Sequence, residues 1–252
     1  MPKISQLIVS ILIVSIPQIV QSAETFSPIQ VGERLDFKVY FEFVLGGDAS
    51  MSVKKIEKID GHDCFHFVSE AHSTRTVDMF YKVRDKVESW QDIDEGVSRR
   101  YVKHLREGRH KDDKRVEYNP EEAGALVYKG ENDGEPDTVK IEGNIQDVLS
   151  AFYDVRRYDL EIGKSVNISV HDIDKQYVLE VQVLRKETIT VPAGEFECFV
   201  VEPLLMSSGI FRKEGNLQIW LTADEYKMPV LMRSKLYFGS VWAKLVGYRR
   251  GE

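Results

Sequence analysis

Two cysteines in 252 residues are too few for a disulfide framework. Neither Cys-x-x-Cys nor His-Glu-x-x-His occurs, so the commonest metal-binding spacings are missing. Gly-x-Ser-x-Gly is also absent, which removes the nucleophile elbow of a serine hydrolase. There is no excess of positive charge: 34 Lys and Arg face 41 Asp and Glu, a net −7. Nucleic-acid backbones need clustered cations, so no nucleic acid is expected as a partner. Gly 17 and Pro 8 are ordinary counts, which exclude collagen-like and low-complexity chains. The longest apolar run, Leu7 to Ile16, is interrupted only by Ser10 and Ser15, and it falls short of the ~20 residues that span a bilayer.

That run has a different use. Lys3 is the only charge before Glu24, and Pro17 ends the apolar stretch. A short basic start, a short apolar core and a small-residue exit describe a secretory signal peptide over residues 1–23, cleaved after Ser22 or Ala23. The alternative is a retained N-terminal anchor. No cysteine near the exit offers a lipid attachment site, and no later stretch is apolar enough to span a membrane. A periplasmic mature chain, 24–252, is expected to be one β-rich domain.

The mature chain is written in period two. Leu35, Phe37, Val39, Phe41 and Phe43 alternate with Asp36, Lys38, Tyr40 and Glu42, as in a strand with one dry face. Gly46-Gly47 is expected to turn, and a break in phase at Ile56 suggests a bulge. Asp60-Gly61 is a strong hairpin signal. Similar stretches recur at Cys64–Val68, Lys82–Ile93, Ser98–Leu105, His110–Tyr118 and Thr138–Ile141, then from Val166 to Tyr248. About a dozen antiparallel strands with short turns predict a mainly β fold, a curved sheet or partly open barrel. One segment has period 3.6: Ile145, Val148, Leu149 and Phe152 share a helical face. Asn144 could cap that helix, Asp147 suits its first turn, and Arg156 and Arg157 suit its end. This one main helix is expected to pack on the sheet; a membrane-surface role suits it less, because its polar face is not basic.

Three motifs, in order, carry a resemblance. The helix reads Asp147-Val148-Leu149-Ser150-Ala151-Phe152-Tyr153 with Arg156 after it; Val191-Pro192-Ala193-Gly194-Glu195-Phe196 precedes a strand; Ile219-Trp220-Leu221-Thr222 is followed by Pro229-Val230-Leu231. Behind a signal peptide, these resemble the bacterial exported family of domain of unknown function 3108, from about Val31 to Arg249. The resemblance implies an envelope-located, mostly β protein with no established catalytic residues. It also implies an outline similar to the half-barrel of periplasmic lipoprotein carriers, a fold analogy only.

Several constellations bear on function. His62, Cys64 and His66 would share one strand face, either as a partial zinc set or as ordinary hairpin side chains beside a buried thiol. Cys64 and Cys198 are either a disulfide or two buried thiols, and geometry decides between them. Arg99 to Arg115 carries eight basic residues against three acidic ones. Arg99, Arg100, Lys103, Arg106 and Arg109 are therefore candidates for an anionic lipid or envelope polymer, against the alternative of a solvated face. No catalytic set and no metal or other cofactor is expected. The primary expectation is a non-enzymatic binding or carrier protein for a lipid or acylated ligand, lined by Phe37, Phe41, Trp220 and Phe238. The alternative is a structural or assembly factor that binds envelope proteins through its surface.

Overall fold

The computed structural model describes residues 26–130, 134–173, 175–206 and 217–251; the expected leader and its cleavage site lie outside them. Fourteen strands form within these residues. The first eight are β1 (Arg34–Phe41), β2 (Val44–Ile59), β3 (His62–Ser73), β4 (Arg84–Asp92), β5 (Ser98–Glu107), β6 (His110–Asn119), β7 (Gly124–Lys129) and β8 (Asp137–Lys140). The remainder are β9 (Ser165–Asp172), β10 (Lys175–Val191), β11 (Gly194–Met206), β12 (Leu217–Thr222), β13 (Pro229–Lys235) and β14 (Ser240–Arg249). All join one antiparallel sheet in the order β8-β7-β6-β5-β4-β3-β2-β1-β14-β13-β12-β11-β10-β9. Two meanders thus meet at a seam between the first and last strands, with Arg34 opposite Arg249 and Phe41 opposite Val241.

The sheet is curved but not closed. A single turn of helix, α1 (Arg75–Asp78), sits between β3 and β4; the main helix, α2 (Val148–Asp154), runs on into a 3₁₀ turn at Val155–Arg157. Helix α2 touches β3, β4 and β9, which belong to opposite wings, so the wings must curl towards each other around it. The segment leading into the helix helps to hold them. Gln146 N donates to Ser169 O (2.9 Å), His171 N donates to Gln146 O (2.8 Å), and Ser98 N donates to Ile145 O (2.9 Å). The first two bonds occupy part of the free edge of β9, the kind of edge that otherwise invites pairing with another chain.

The helix divides the core. Leu149 and Tyr153 enter a cluster with Phe37, Phe67 and Trp220, while Ala151 and Val155 enter a second cluster with Val170, Val183, Val201 and Leu221. The packed helix expected from sequence is therefore present, but it starts later and Val148 of the expected face is exposed. Asp147, not Asn144, is the cap, and the helix begins at Val148. Ile145 is buried ahead of the helix, Val148 is 43% exposed, and Phe152 is only half-buried. Wedged between two wings, the helix needs apolar side chains on two sides, so one stripe captures Leu149 and Phe152, which pack, but misses Ala151, Tyr153 and Val155.

The turns show a similar mixture. Asp60 and Gly61 both have positive φ (50° and 92°), as a two-residue hairpin turn demands. The bulge expected near Ile56 lies between Val53 and Lys55. Gly46-Gly47, however, lies inside β2, and the chain turns earlier, at Glu42-Phe43. Gly47 is needed for close approach: a Cβ there would collide with the carbonyl of His72 on β3.

Candidate functional site

In an antiparallel meander, alternate turns fall at the same end. The β1–β2, β3–β4 and β13–β14 turns therefore emerge side by side from neighbouring strands. Glu42 N donates to Ser240 O (2.9 Å) and Thr74 N donates to Gly46 O (2.9 Å), tying each turn to the next. These three tips carry ten of the eighteen large hydrophobic side chains that are exposed among the described residues: Phe41, Phe43, Val44, Leu45, Met79, Phe80, Tyr81, Leu236, Tyr237 and Phe238. Phe43 is 93% exposed, Tyr237 92% and Phe80 87%. Scattered apolar residues on a surface need no explanation, but concentration at one end does.

The tips are braced from behind. Arg84 donates to Asp78 through Nη1 (3.0 Å) and Nη2 (2.6 Å), and Val83 N donates to Ser73 Oγ (2.7 Å). The Arg84 hydrogen bond holds the Asp78 carboxyl below its ordinary range. Thr74 caps α1 by accepting from Val77 N. The Tyr237 and Phe238 rings meet edge to face at 4.6 Å.

The four aromatic residues expected to line a ligand site are not brought together. Phe37 and Trp220 are buried in the core between the sheet and α2, and the Trp220 indole donates to Glu187 Oε1 (2.7 Å). Phe41 and Phe238 stand on the exposed rim. Alternation could not separate these fates, because a strand keeps its period where it leaves the covered region. The other rim residues had one legible signal: Met79-Phe80-Tyr81, and Leu236-Tyr237 running into Phe238, are apolar runs without alternation, next to turns.

The five basic candidates do not form one surface either. Arg99 is buried and donates to Asp92, Glu95 and Glu121. Arg100 pairs with Glu117 (2.8 Å), Lys103 approaches Asp112 (3.6 Å), and Arg106 pairs with Asp113 (2.8 Å). Arg109 is exposed in the β5–β6 turn. Cross-strand pairing of β5 with β6 supplies the acids: Asp112 and Asp113 face Leu105 and His104, beside the cations. A polar cleft of about 300 Å³ lies here, lined by Val102, His104, Arg106, Asp113, Lys114, Arg115 and Gly130, with Asp113 already held by His104 and Arg106.

The family model described as protein of unknown function, DUF3108, matches residues 36–246. The chain belongs to this family. No curated protein matches it. Among solved structures, a beta-barrel-like protein of domain of unknown function DUF1849 from Brucella abortus is similar in fold, with TM-score 0.56 and 10% identity over 87% of this chain and 98% of that one. A candidate lipoprotein from Parabacteroides distasonis aligns at TM-score 0.38 and 11% identity, over 88% of this chain and 97% of that one.

Two polar constellations of this DUF3108 chain have structural explanations. His62, Asp92 and Glu95 approach one another closely enough to suggest a cation site. The cation among them is Arg99, whose Nη2 lies 3.0 Å from Asp92, 2.8 Å from Glu95 and 3.1 Å from His62. His66 is directed elsewhere, stacking on Trp90 at 4.3 Å. Cys64 and Cys198 are buried free thiols, which burial pushes up to about 11 and about 12, so neither is a ready nucleophile. Asp147 is the other constellation. It accepts from Leu149 N, Ser150 N, Ser89 Oγ and Ser98 Oγ at 2.6–2.8 Å, pinning the helix start to β4 and β5. Burial pushes its carboxyl up, and no histidine is among these partners to serve a serine as base.

Glu88 offers a test by pH. Its hydrogen bond with His66 (3.1 Å), aided by Lys86, holds its carboxyl down at about 2 against the cost of burial. A depressed carboxyl stabilises the fold above its unfolded value, and that contribution disappears as pH falls towards 2. Glu88→Gln should therefore cost about 1–3 kcal/mol at pH 7 and nearly nothing at pH 2. Urea denaturation at both pH values would measure this; equal losses at both would disprove the linkage.

Proposed function

We propose that this DUF3108 protein is a non-enzymatic, exported binding protein of the bacterial envelope that takes an apolar or amphipathic ligand at its exposed rim. The concentration of ten exposed hydrophobic side chains on three adjoining tips carries the reading. Export rests on the leader-like residues 1–23, and envelope residence fits the family resemblance. The burial of Phe37 and Trp220 favours a surface site over an enclosed one. It also keeps the second reading, an assembly factor that binds envelope proteins through its surface.

A solvatochromic dye and monomeric lysophosphatidylcholine test the site without assuming a biological ligand. Wild-type protein should brighten the dye, and lysolipid should raise its melting temperature, since a ligand selective for the native state stabilises it. The variant Phe43→Ser/Phe80→Ser/Phe238→Ser should lose both responses while folding normally. A wild-type protein silent to both probes, or a triple variant that responds as strongly as wild type, would overturn the rim as the binding site.

A further inference from the structure

We propose that the rim docks on a lipid bilayer bearing anionic headgroups, with Phe43, Phe80 and Tyr237 entering the interfacial layer while Arg75, Lys82 and Lys235 meet the headgroups. This rests on the rim being the binding site and names its occupant.

The shape favours a membrane. Phe43, Phe80 and Tyr237, one on each tip and the last paired edge to face with Phe238, are almost wholly exposed, so each tip presents a prong. A protein partner would have to supply a fitted pocket for each prong. The fluid boundary between headgroups and acyl chains adapts to separate prongs, and aromatic side chains favour that layer. The tips span strands β4 to β13, five inter-strand spacings, or about 24 Å along the sheet. The bracing by Arg84, Asp78 and the Glu42–Ser240 contact means that the prongs are presented without an ordering step.

The charges point the same way. Arg75, Lys82 and Lys235 are exposed on these tips, and none forms a salt bridge among the described residues. Of the acids on the tips, Asp78 is paired with Arg84 and also feels Lys82, while Glu42 accepts from the backbone N–H of Ser240 and keeps its charge. The chain as a whole is net −7 and would be repelled by an anionic surface. A rim on which Arg75, Lys82 and Lys235 outnumber Asp78 and Glu42, with Asp78 already paired to Arg84, turns that repulsion into orientation, because this end is the one that can approach.

Flotation of the mature chain with vesicles tests the assignment. Binding should be stronger to vesicles of phosphatidylcholine with 30% phosphatidylglycerol (about a third anionic) than to phosphatidylcholine alone, and should weaken as salt rises. The Phe43→Ser/Phe80→Ser/Tyr237→Ser variant should not float. Arg75→Gln/Lys82→Gln/Lys235→Gln should bind the anionic vesicles less tightly by up to about a hundredfold. Melting curves of both variants should match wild type, because the positions are exposed. Failure of wild-type protein to float, or flotation of the serine variant like wild type, overturns the bilayer. If dye and lysolipid still bind while vesicles do not, the binding-protein reading survives and only the bilayer falls. A concentration-dependent dimer that the serine variant abolishes, without flotation, would place a second copy of the chain on the rim instead.

Discussion

Replacing Arg156 by methionine should destabilise the protein by about 3–5 kcal/mol, because it leaves a buried carboxylate without its partner. Arg156 is fully buried. Its Nη1 and Nη2 donate in parallel to the two oxygens of Glu33, both at 2.7 Å, and its remaining bonds go to Pro28 O (2.7 Å) and Tyr226 O (3.0 Å). One planar fork therefore joins the end of the main helix, the segment before β1 and the loop before β13. Lysine cannot reproduce the fork, so Arg156→Lys should also be costly. The double variant Arg156→Met/Glu33→Gln should recover much of the loss, since the penalty comes from an unpaired buried charge. Urea denaturation of wild type, Arg156→Met, Glu33→Gln and the double variant measures this cycle. A loss below ~1 kcal/mol in Arg156→Met, or a double variant as unstable as the sum of the singles, would refute the account.

The second large effect is expected at Phe67. This ring on β3 is fully buried and stacks on Tyr153 of α2, with centroids 4.0 Å apart and planes at 8°. Phe67→Ala should cost about 3–5 kcal/mol, since truncation removes burial and leaves a cavity under the helix. Phe152→Ala should cost less, because that ring is only partly covered. Val148→Ala should change stability by no more than ~0.5 kcal/mol, as an exposed position usually does. The ranking Phe67, Phe152, Val148 is the measurement. If Val148→Ala proved as damaging as Phe67→Ala, the helix would have to sit with the opposite face inward.

The β character of the chain was legible because alternation is local. Leu35 and Phe37 announce β1, and Asp60-Gly61 announces its hairpin, through the conformations and faces of the residues themselves. What was illegible depends on partners distant in sequence. Val39, Phe41 and Phe43 continue the alternation of Leu35 and Phe37, yet burial fades along them as the strand leaves the region covered by α2 and the opposite wing. Arg156 reads as a cation suited to a helix end; its pairing with Glu33, more than a hundred residues away, is set by the tertiary fold. The basic run Arg99–Arg115 reads as a patch only until the β5–β6 register places Asp112, Asp113 and Glu117 among its cations. Composition counts charges, whereas pairing decides which of them remain available.

The seam between β1 and β14 has a consequence for synthesis. Strand β1 finds one of its two neighbours only when β14, about two hundred residues later, has been made. Until then β1 and β13 each present an unpaired edge in the middle of what will become a continuous sheet, and such edges recruit foreign strands. The early meander can form from neighbouring hairpins, but joining it to the late one waits for residues 240–249. A chain that stops short of β14 therefore loses more than a terminal strand: it becomes two half-sheets with no hydrogen bonds between β1 and β13.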